Sequence, residues 1–216
     1  LGFVEPTPIQ KLSIDHLLEE STDLIAFAQT GTGKTAAFSL PILHQLEEDV
    51  PHVQAIVLAP TRELCLQIAK DIESYAKFMD VQVTAVYGGS PISKQIKSLQ
   101  AKPQIVVGTP GRTLDLIERR KLRIEDVQFL VLDEADEMLS MGFQDELDAI
   151  LANTPEYKQT LCFSATMPEG MKHLTKKYLS DPKEISAGKR NISASNVEHE
   201  LYVVSSKNTY EAMRRI

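Results

Sequence analysis

Tryptophan is absent from this sequence, and cysteine occurs only twice. Cys65 and Cys162 lie far apart within apolar segments, without a pairing pattern, so we expect two buried, free thiols in a reducing compartment. The five histidines show no metal-ligand spacing. No apolar stretch approaches the roughly 18 residues that a membrane span requires, and no charged-then-apolar leader opens the sequence. These absences predict a soluble, cytoplasmic protein.

Basic residues are also fewer than acidic ones. The chain carries 23 Lys and Arg against 30 Asp and Glu, for a net charge of −7. This balance argues against nucleic-acid binding through the overall field of the protein, but it leaves room for a local basic patch. With 216 residues, of which 43% are apolar, the chain suits one globular domain, or one domain and part of another.

Short β-branched runs alternate with amphipathic helical patterns along most of the chain. The helical pattern is clear from Arg62 to Met79, where apolar residues recur on one face. Several runs are apolar at consecutive positions, as expected of strands covered on both faces. The alternation predicts an α/β fold with a central, mainly parallel sheet and helices on both faces. The candidate strands are DLIAFA (23–28), VQAIVLA (53–59), VQVTAVY (81–87), PQIVVGT (103–109), VQFLVLD (127–133), QTLCFSA (159–165) and KEISA (183–187).

Small and polar residues in AGKRNISASN, positions 187–196, break this alternation and predict a linker. We therefore expect one domain over residues 1–190. Residues 191–216 are expected to hold the linker and the start of a second domain, the rest of which is missing from this sequence.

The segment AQTGTGKT, residues 28–35, lies between a candidate strand and a candidate helix. Gly31 and Gly33 allow positive φ, so successive backbone N–H groups can point into one concavity beside a helix N-terminus. Lys34 can then reach terminal phosphates, and the Thr35 hydroxyl can bind Mg²⁺. The alternative is a glycine-rich turn with a surface lysine. The spacing favours a phosphate-binding loop.

A second strand, in VQFLVLDEAD, brings two carboxylates to its carboxyl end. Ligands of parallel sheets bind at the carboxyl ends of strands, so we expect Asp133 and Glu134 to lie near the loop. Asp133 is placed to hold Mg²⁺ through water, and Glu134 to orient and deprotonate an attacking water. An acidic helix start, favoured by the macrodipole, is the alternative.

Together these two segments resemble those of the DEAD-box ATP-dependent RNA helicases, whose phosphate loop also begins with alanine. Further signatures of that family's first, N-terminal RecA-like domain occur in the family's order. They are GFVEPTPIQ (2–10), PTREL (60–64), the glycine pair at 88–89, TPGR (109–112) and SAT (164–166). The resemblance covers essentially the whole chain. It implies a RecA-like P-loop fold and the ATP- and RNA-binding half of a helicase, which couples ATP hydrolysis to RNA strand separation in the full-length protein.

The resemblance also implies which residues bind ATP and Mg²⁺. Gln10 would read the adenine edge, and Phe3 would stack on the ring. Locally, Thr7, Pro8 and Gln10 predict a helix start with a capping box, so both interpretations of Gln10 remain open. The implied nucleotide-binding residues are Phe3, Gln10, Gln29, Thr30, Gly31, Thr32, Gly33, Lys34, Thr35 and Ala36. The implied catalytic residues are Lys34, Asp133 and Glu134, and Thr35 and Asp133 would hold Mg²⁺ via water.

PTREL and TPGR each follow a strand and open a helix, which predicts two helix N-termini and two arginines at the same edge of the sheet. For each segment, a capped helix with a solvated arginine is the alternative. By resemblance, the sugar–phosphate backbone of one RNA strand is bound, with little sequence preference, by Thr61, Arg62, Gly89, Thr109, Gly111 and Arg112. The hydroxyls of Ser164 and Thr166 could hydrogen-bond Asp136, and these three residues would couple nucleotide to RNA.

The family's cycle requires a second RecA-like domain that supplies arginine fingers, which typically contribute about 10³–10⁵ in rate. We therefore expect this chain alone to bind nucleotide, to hydrolyse it slowly and not to unwind duplexes. We expect a monomer whose partners are RNA and that second domain, with no membrane. Two other functions remain open: an ATP-gated RNA clamp that recruits partners, and a DNA translocase or other P-loop ATPase.

Overall fold

The computed structural model describes residues 4–48, 50–186, 204–205, 210 and 213–214. Phe3 and the predicted linker at 187–196 lie outside the described residues. So does nearly all of the predicted start of a second domain.

Seven strands form one sheet in the order β3-β4-β2-β5-β6-β1-β7, and every neighbouring pair is parallel. All seven candidate strands are present, and the predicted parallel α/β sheet is confirmed. The strands are β1 (Leu24–Phe27), β2 (Ala55–Leu58), β3 (Val83–Val86), β4 (Ile105–Gly108), β5 (Phe129–Leu132), β6 (Gln159–Ser164) and β7 (Lys183–Ser186).

Helices cover both faces of this sheet, as predicted. Helices α1 to α3 pack on one face, against residues such as Ala26 and Val57. Helices α4 to α8 pack on the other face, against Ile25 and Ile56, because successive strand residues point to opposite sides. The helices are α1 (Pro8–Glu19), α2 (Lys34–Gln45), α3 (Arg62–Tyr75), α4 (Ile92–Leu99), α5 (Pro110–Glu118), α6 (Ala135–Ser140), α7 (Gln144–Asn153) and α8 (Glu169–Tyr178).

Burial explains the near-continuous apolar strands. Every residue of the five interior strands is buried, whereas the edge strands β3 and β7 are partly exposed. The thiols of Cys65 and Cys162 are both buried and free, as predicted. Within the described ranges, none of the helices has the length and apolar character needed to cross a bilayer.

The helix predicted over Arg62 to Met79 is shorter than expected. It ends at Tyr75, and its C-cap Ala76 already departs from helical geometry, with ψ of 8°. Met79 lies in the following turn and still packs against the core. Its partial burial extends the apolar pattern beyond the helix, which explains why the helix was predicted to be longer.

The strand order divides the carboxyl edge of the sheet into two halves. Strands β3, β4 and β2 are neighbours and lead into the glycine pair, TPGR and PTREL, respectively. Strands β5, β6 and β1 are also neighbours and lead into the DEAD segment, SAT and the phosphate loop. The segments that resemble RNA-binding motifs are therefore grouped apart from those that resemble nucleotide-binding motifs.

Candidate functional site

The loop after β1 has the backbone shape that an anion site requires. Gly31 and Gly33 adopt φ of 80° and 87°, in the region that side chains disfavour. Gly33 is the N-cap of α2, which begins at Lys34. A Cβ on Gly33 would lie 2.5 Å from Nε2 of Gln10, so a larger residue there would displace the Gln10 side chain in addition to straining φ. The loop thus presents a helix N-terminus toward the edge of the sheet.

Gln10 and Thr7 join the start of α1 to this loop. They form the predicted capping box: Gln10 Oε1 accepts from Thr7 N at 2.9 Å, and the Thr7 hydroxyl accepts from Gln10 N at 3.4 Å. Each side chain also donates to the loop, Gln10 Nε2 to the Gly33 carbonyl at 3.2 Å and Thr7 Oγ1 to the Thr32 carbonyl at 2.9 Å. The capping role of Gln10 is therefore present in the structure, and its reading of adenine stays a prediction.

Lys34 connects the loop to the carboxylates after β5. Its Nζ lies 3.6 Å from Asp133 Oδ1 and 3.8 Å from Glu134 Oε1. Thr30 Oγ1 donates to Glu134 Oε1 at 3.0 Å, so two loop residues contact the same carboxylate. Glu134 has φ of 53°, a conformation uncommon for a residue with a side chain, and it directs the backbone into α6.

Two members of this cluster, Lys34 and Asp133, are buried. Asp133 is 2% exposed and Lys34 is 6% exposed. Burial raises the pKa of Asp133, and the adjacent Lys34 ammonium offsets that rise only in part. A buried carboxylate with incompletely balanced charge is a favourable position for a further cation.

A cavity of about 270 Å³ opens beside these groups. Among the predicted residues, Gln29 and Thr32 are not part of its lining, and Thr32 Oγ1 donates instead to the Gln29 carbonyl at 2.7 Å. Helix α3 forms one wall of the cavity, which the sequence analysis did not predict. Its lining residues recur every three or four positions on one helical face, and that spacing is visible in the sequence. The lining residues are Gln10, Thr30, Gly31, Gly33, Lys34, Thr35, Ala36, Leu64, Gln67, Asp71, Tyr75, Asp133 and Glu134.

The donor set at the cavity suits a magnesium ion shared with a ligand. In the described part of the chain, no group of three or more His, Cys, Asp or Glu side chains could hold a metal by itself. Mg²⁺ prefers oxygen ligands and is usually bound by one or two protein groups together with substrate phosphates. The Thr35 hydroxyl and the Asp133 carboxylate, both at the cavity, are donors of that type.

Asp136, in the first turn of α6, contacts the segment after β6. The Thr166 hydroxyl and backbone N–H both donate to Asp136 Oδ2, at 2.7 and 3.0 Å. The Ser164 hydroxyl donates to the Thr166 carbonyl at 2.7 Å. Burial opposes ionisation of Asp136, but its hydrogen bonds with Thr166 and its proximity to Ser164 outweigh burial and lower its pKa.

The other half of the sheet edge carries the predicted arginines. Thr61 caps α3 by accepting from Leu64 N at 3.2 Å, whereas Thr109, the N-cap of α5, makes no side-chain capping bond. Gly111 lies in the first turn of α5, and Gly89 has φ of 75°.

Two residues that the sequence interpretation missed support these arginines. The Arg62 guanidinium lies 4.9 Å from the centre of the Tyr87 ring. Arg112 Nη1 donates to the Ser90 carbonyl at 3.1 Å and to Gln95 Oε1 at 3.0 Å. Neither Tyr87 nor Gln95 belongs to a motif, and a lone glutamine on an amphipathic helix gives no local signal of such a role.

Comparisons with known proteins identify the family to which this chain belongs. A family model described as DEAD/DEAH box helicase matches residues 7–174. The ATP-dependent RNA helicase CshA of Listeria monocytogenes is 47% identical over all 216 residues, which span 41% of its length. The DEAD-box ATP-dependent RNA helicase CshA of Streptococcus pneumoniae is 44% identical over 215 residues, again 41% of its length. The chain thus spans less than half of these relatives.

Solved structures show the same fold. A DEAD box protein from the hyperthermophile Methanococcus jannaschii matches with a TM-score of 0.84 and 42% identity, covering 99% of this chain and 57% of that one. The yeast DEAD-box splicing factor Prp28 also matches with a TM-score of 0.84, at 33% identity over 89% of this chain and 47% of its own. The fold is therefore that of RecA-like DEAD-box domains.

Proposed function

Because the chain belongs to the DEAD/DEAH box helicase family, we propose that it is the ATP- and RNA-binding half of an RNA helicase. In the full-length protein, ATP hydrolysis would be coupled to local separation of RNA strands. Residues 1–190 form the N-terminal RecA-like domain in this proposal, and 191–216 form the linker and the start of a second one, with the protein acting as a cytoplasmic monomer.

The observation that carries this proposal is the contact of Lys34 with Asp133 and Glu134 across the phosphate loop. Lys34 is placed to exchange these carboxylates for the terminal phosphates of ATP, because all three groups border one cavity. Glu134 is then released to orient and deprotonate the attacking water, a contribution typically worth about 10²–10⁴ in rate. Thr35 and Asp133 are the groups that would hold Mg²⁺ via water, and the ion would there neutralise phosphate charge.

The RNA half of the proposal rests on the neighbouring ends of β2, β3 and β4. Two helix N-termini and two arginines lie there, and such groups bind phosphates without reading bases. The local positive charge of these arginines would allow the chain to bind RNA despite its net negative charge. The proposed contacts are Thr61, Arg62, Gly89, Thr109, Gly111 and Arg112.

RNA-stimulated ATP hydrolysis by the full-length protein tests this function. We expect single-stranded RNA to accelerate hydrolysis and DNA of the same sequence to have little effect. Lys34→Met should abolish hydrolysis with either nucleic acid, which controls for contaminating ATPases. Equal stimulation by DNA would instead support a DNA translocase.

The isolated chain supplies a second test. We expect it to bind Mg–ADP yet to hydrolyse ATP slowly, because arginine fingers from a second domain typically contribute about 10³–10⁵ in rate. Duplex unwinding by the isolated chain would contradict this proposal.

A further inference from the structure

Gln95 of α4 is a buried amide that joins three segments of the chain. It is 5% exposed, and both ends of its side chain are bonded. Oε1 accepts from Tyr87 N at 3.3 Å and from Arg112 Nη1 at 3.0 Å, while Nε2 donates to the Tyr87 carbonyl at 2.9 Å. One side chain therefore holds the end of β3 and the first turn of α5 together.

Tyr87 extends this arrangement to the start of α3. Its backbone is held at both polar groups by Gln95, and its ring lies under the Arg62 guanidinium at 4.9 Å. A guanidinium at that distance from a ring centre is attracted by the negative face of the ring. Gln95 thus acts on Arg112 directly and on Arg62 through Tyr87.

The bonds to Arg112 leave its phosphate-binding groups available. Nη1 makes both of the hydrogen bonds of this guanidinium, to Ser90 and to Gln95. Among the described residues, none accepts from its Nε or Nη2. Those nitrogens carry three N–H bonds in a planar fork, the geometry that pairs with two oxygens of one phosphate.

We propose that Gln95 is a positioning residue that holds Arg62 and Arg112 as a fixed pair for phosphates of one RNA strand. This inference rests on the RNA binding proposed above and assigns the residue that organises it. An arginine that is already held loses less side-chain freedom when it binds a phosphate, so affinity for RNA is higher. Gln95 touches neither the nucleotide cavity nor any phosphate loop residue in the described part of the chain.

The test compares RNA and nucleotide affinity in the full-length protein. Gln95→Met keeps the approximate volume and removes all three hydrogen bonds. With a fluorescent single-stranded RNA and a non-hydrolysable ATP analogue, we expect RNA affinity to fall on the order of tenfold, because RNA binding must then order the arginine side chains that Gln95 no longer holds. Mg–ADP affinity should not change, whereas general damage to the fold would lower both.

A double substitution separates positioning from general weakening. If Gln95 acts through Arg112, Gln95→Met should have a smaller effect in an Arg112→Ala background than in the wild type. Equal fold-changes in the two backgrounds would overturn the inference.

Tyr87 provides a second pair of variants if Gln95→Met folds poorly. Tyr87→Leu removes the ring beneath Arg62 and should weaken RNA binding, while the matched control Tyr87→Phe keeps the ring and should not. Wild-type protein that binds no RNA would overturn both the proposed function and this inference. RNA binding by the wild type that Gln95→Met and Tyr87→Leu leave unchanged would overturn the inference alone.

Discussion

Replacing Gln10 by alanine tests two roles of this side chain, capping of helix α1 and the proposed recognition of adenine. The substitution removes the acceptor for Thr7 N and the donor to the Gly33 carbonyl, and both of those backbone groups are part-buried. Loss of half of the capping box costs about 1 kcal/mol, and the Thr7 N–H left without its acceptor adds a similar amount, whereas the Gly33 carbonyl still accepts from Ala37 N. We expect the free energy of unfolding to fall by about 2 kcal/mol, which lowers the Tm of a domain of this size by roughly 4–8 °C.

Thr7→Ala is the matched control. It removes the other half of the same capping box and the other hydrogen bond from α1 to the loop, between the Thr7 hydroxyl and the Thr32 carbonyl. Its effect on stability should therefore resemble that of Gln10→Ala. Threonine has no assigned contact with a base, so any effect on base preference belongs to Gln10.

The assay is calorimetric titration of the three proteins with Mg–ADP and, in parallel, Mg–GDP. A glutamine amide matches the donor and acceptor of adenine and mismatches guanine, and a buried mismatch costs about 1–3 kcal/mol. We expect the wild type to favour ADP by on the order of tenfold or more. The ratio of the two affinities should approach one in Gln10→Ala and stay at the wild-type value in Thr7→Ala.

An unchanged ratio in Gln10→Ala would refute the adenine role, even if both affinities fell. Gln10 would then act solely as a cap that shapes the phosphate loop. Failure of the wild type to bind either nucleotide would contradict the phosphate site itself.

Three further predictions concern Asp23, Asp136 and the two thiols. Asp23 accepts backbone N–H bonds on both oxygens, each at 2.6 Å. Asp23→Asn keeps only one of these acceptors, so it should lower the free energy of unfolding in urea by about 2–3 kcal/mol. A change below measurement error would contradict this. Asp136→Asn should cost about 1 kcal/mol at pH 7. Because folding lowers the pKa of Asp136, its stabilisation is complete above the unfolded pKa of about 4 and should be lost as the pH falls from there through the lower folded pKa. A pH-independent difference from the wild type would show that the charge is irrelevant. Burial raises the pKa of Cys65 and Cys162 to about 12. Neither thiol should therefore react with Ellman's reagent at pH 8 until the protein is denatured. Labelling of the native protein would refute their burial.

The strands were predictable because their signal is local. Runs such as Ile56 to Leu58 are apolar at every position and buried at every position, which is the pattern of a doubly covered parallel sheet. The end of α3 was less predictable, because Met79 keeps the apolar pattern going after the helix has stopped. Packing against the core, rather than helical geometry, sets that residue's burial.

The site was predictable in its parts but not in its connections. The phosphate loop and the carboxylates each have a recognisable local pattern, yet the bond from Thr30 to Glu134 joins residues 104 positions apart. Such a contact depends on which strands become neighbours. Gln95 is a stronger case, since its role exists only once β3, α4 and α5 have been brought together.

Strand β6 lies between the strand that enters the phosphate loop and the strand that leads to Asp133. At its end, the Ser164 carbonyl accepts from Ala28 N at 3.0 Å, and Thr166 holds Asp136 two residues later. Thermodynamic linkage is reciprocal. If nucleotide binding strengthens the Asp136–Thr166 contact by some factor, loss of that contact weakens nucleotide affinity by the same factor. The ADP affinity of a Thr166→Val variant would therefore report on a contact that lies outside the cavity proposed to bind nucleotide.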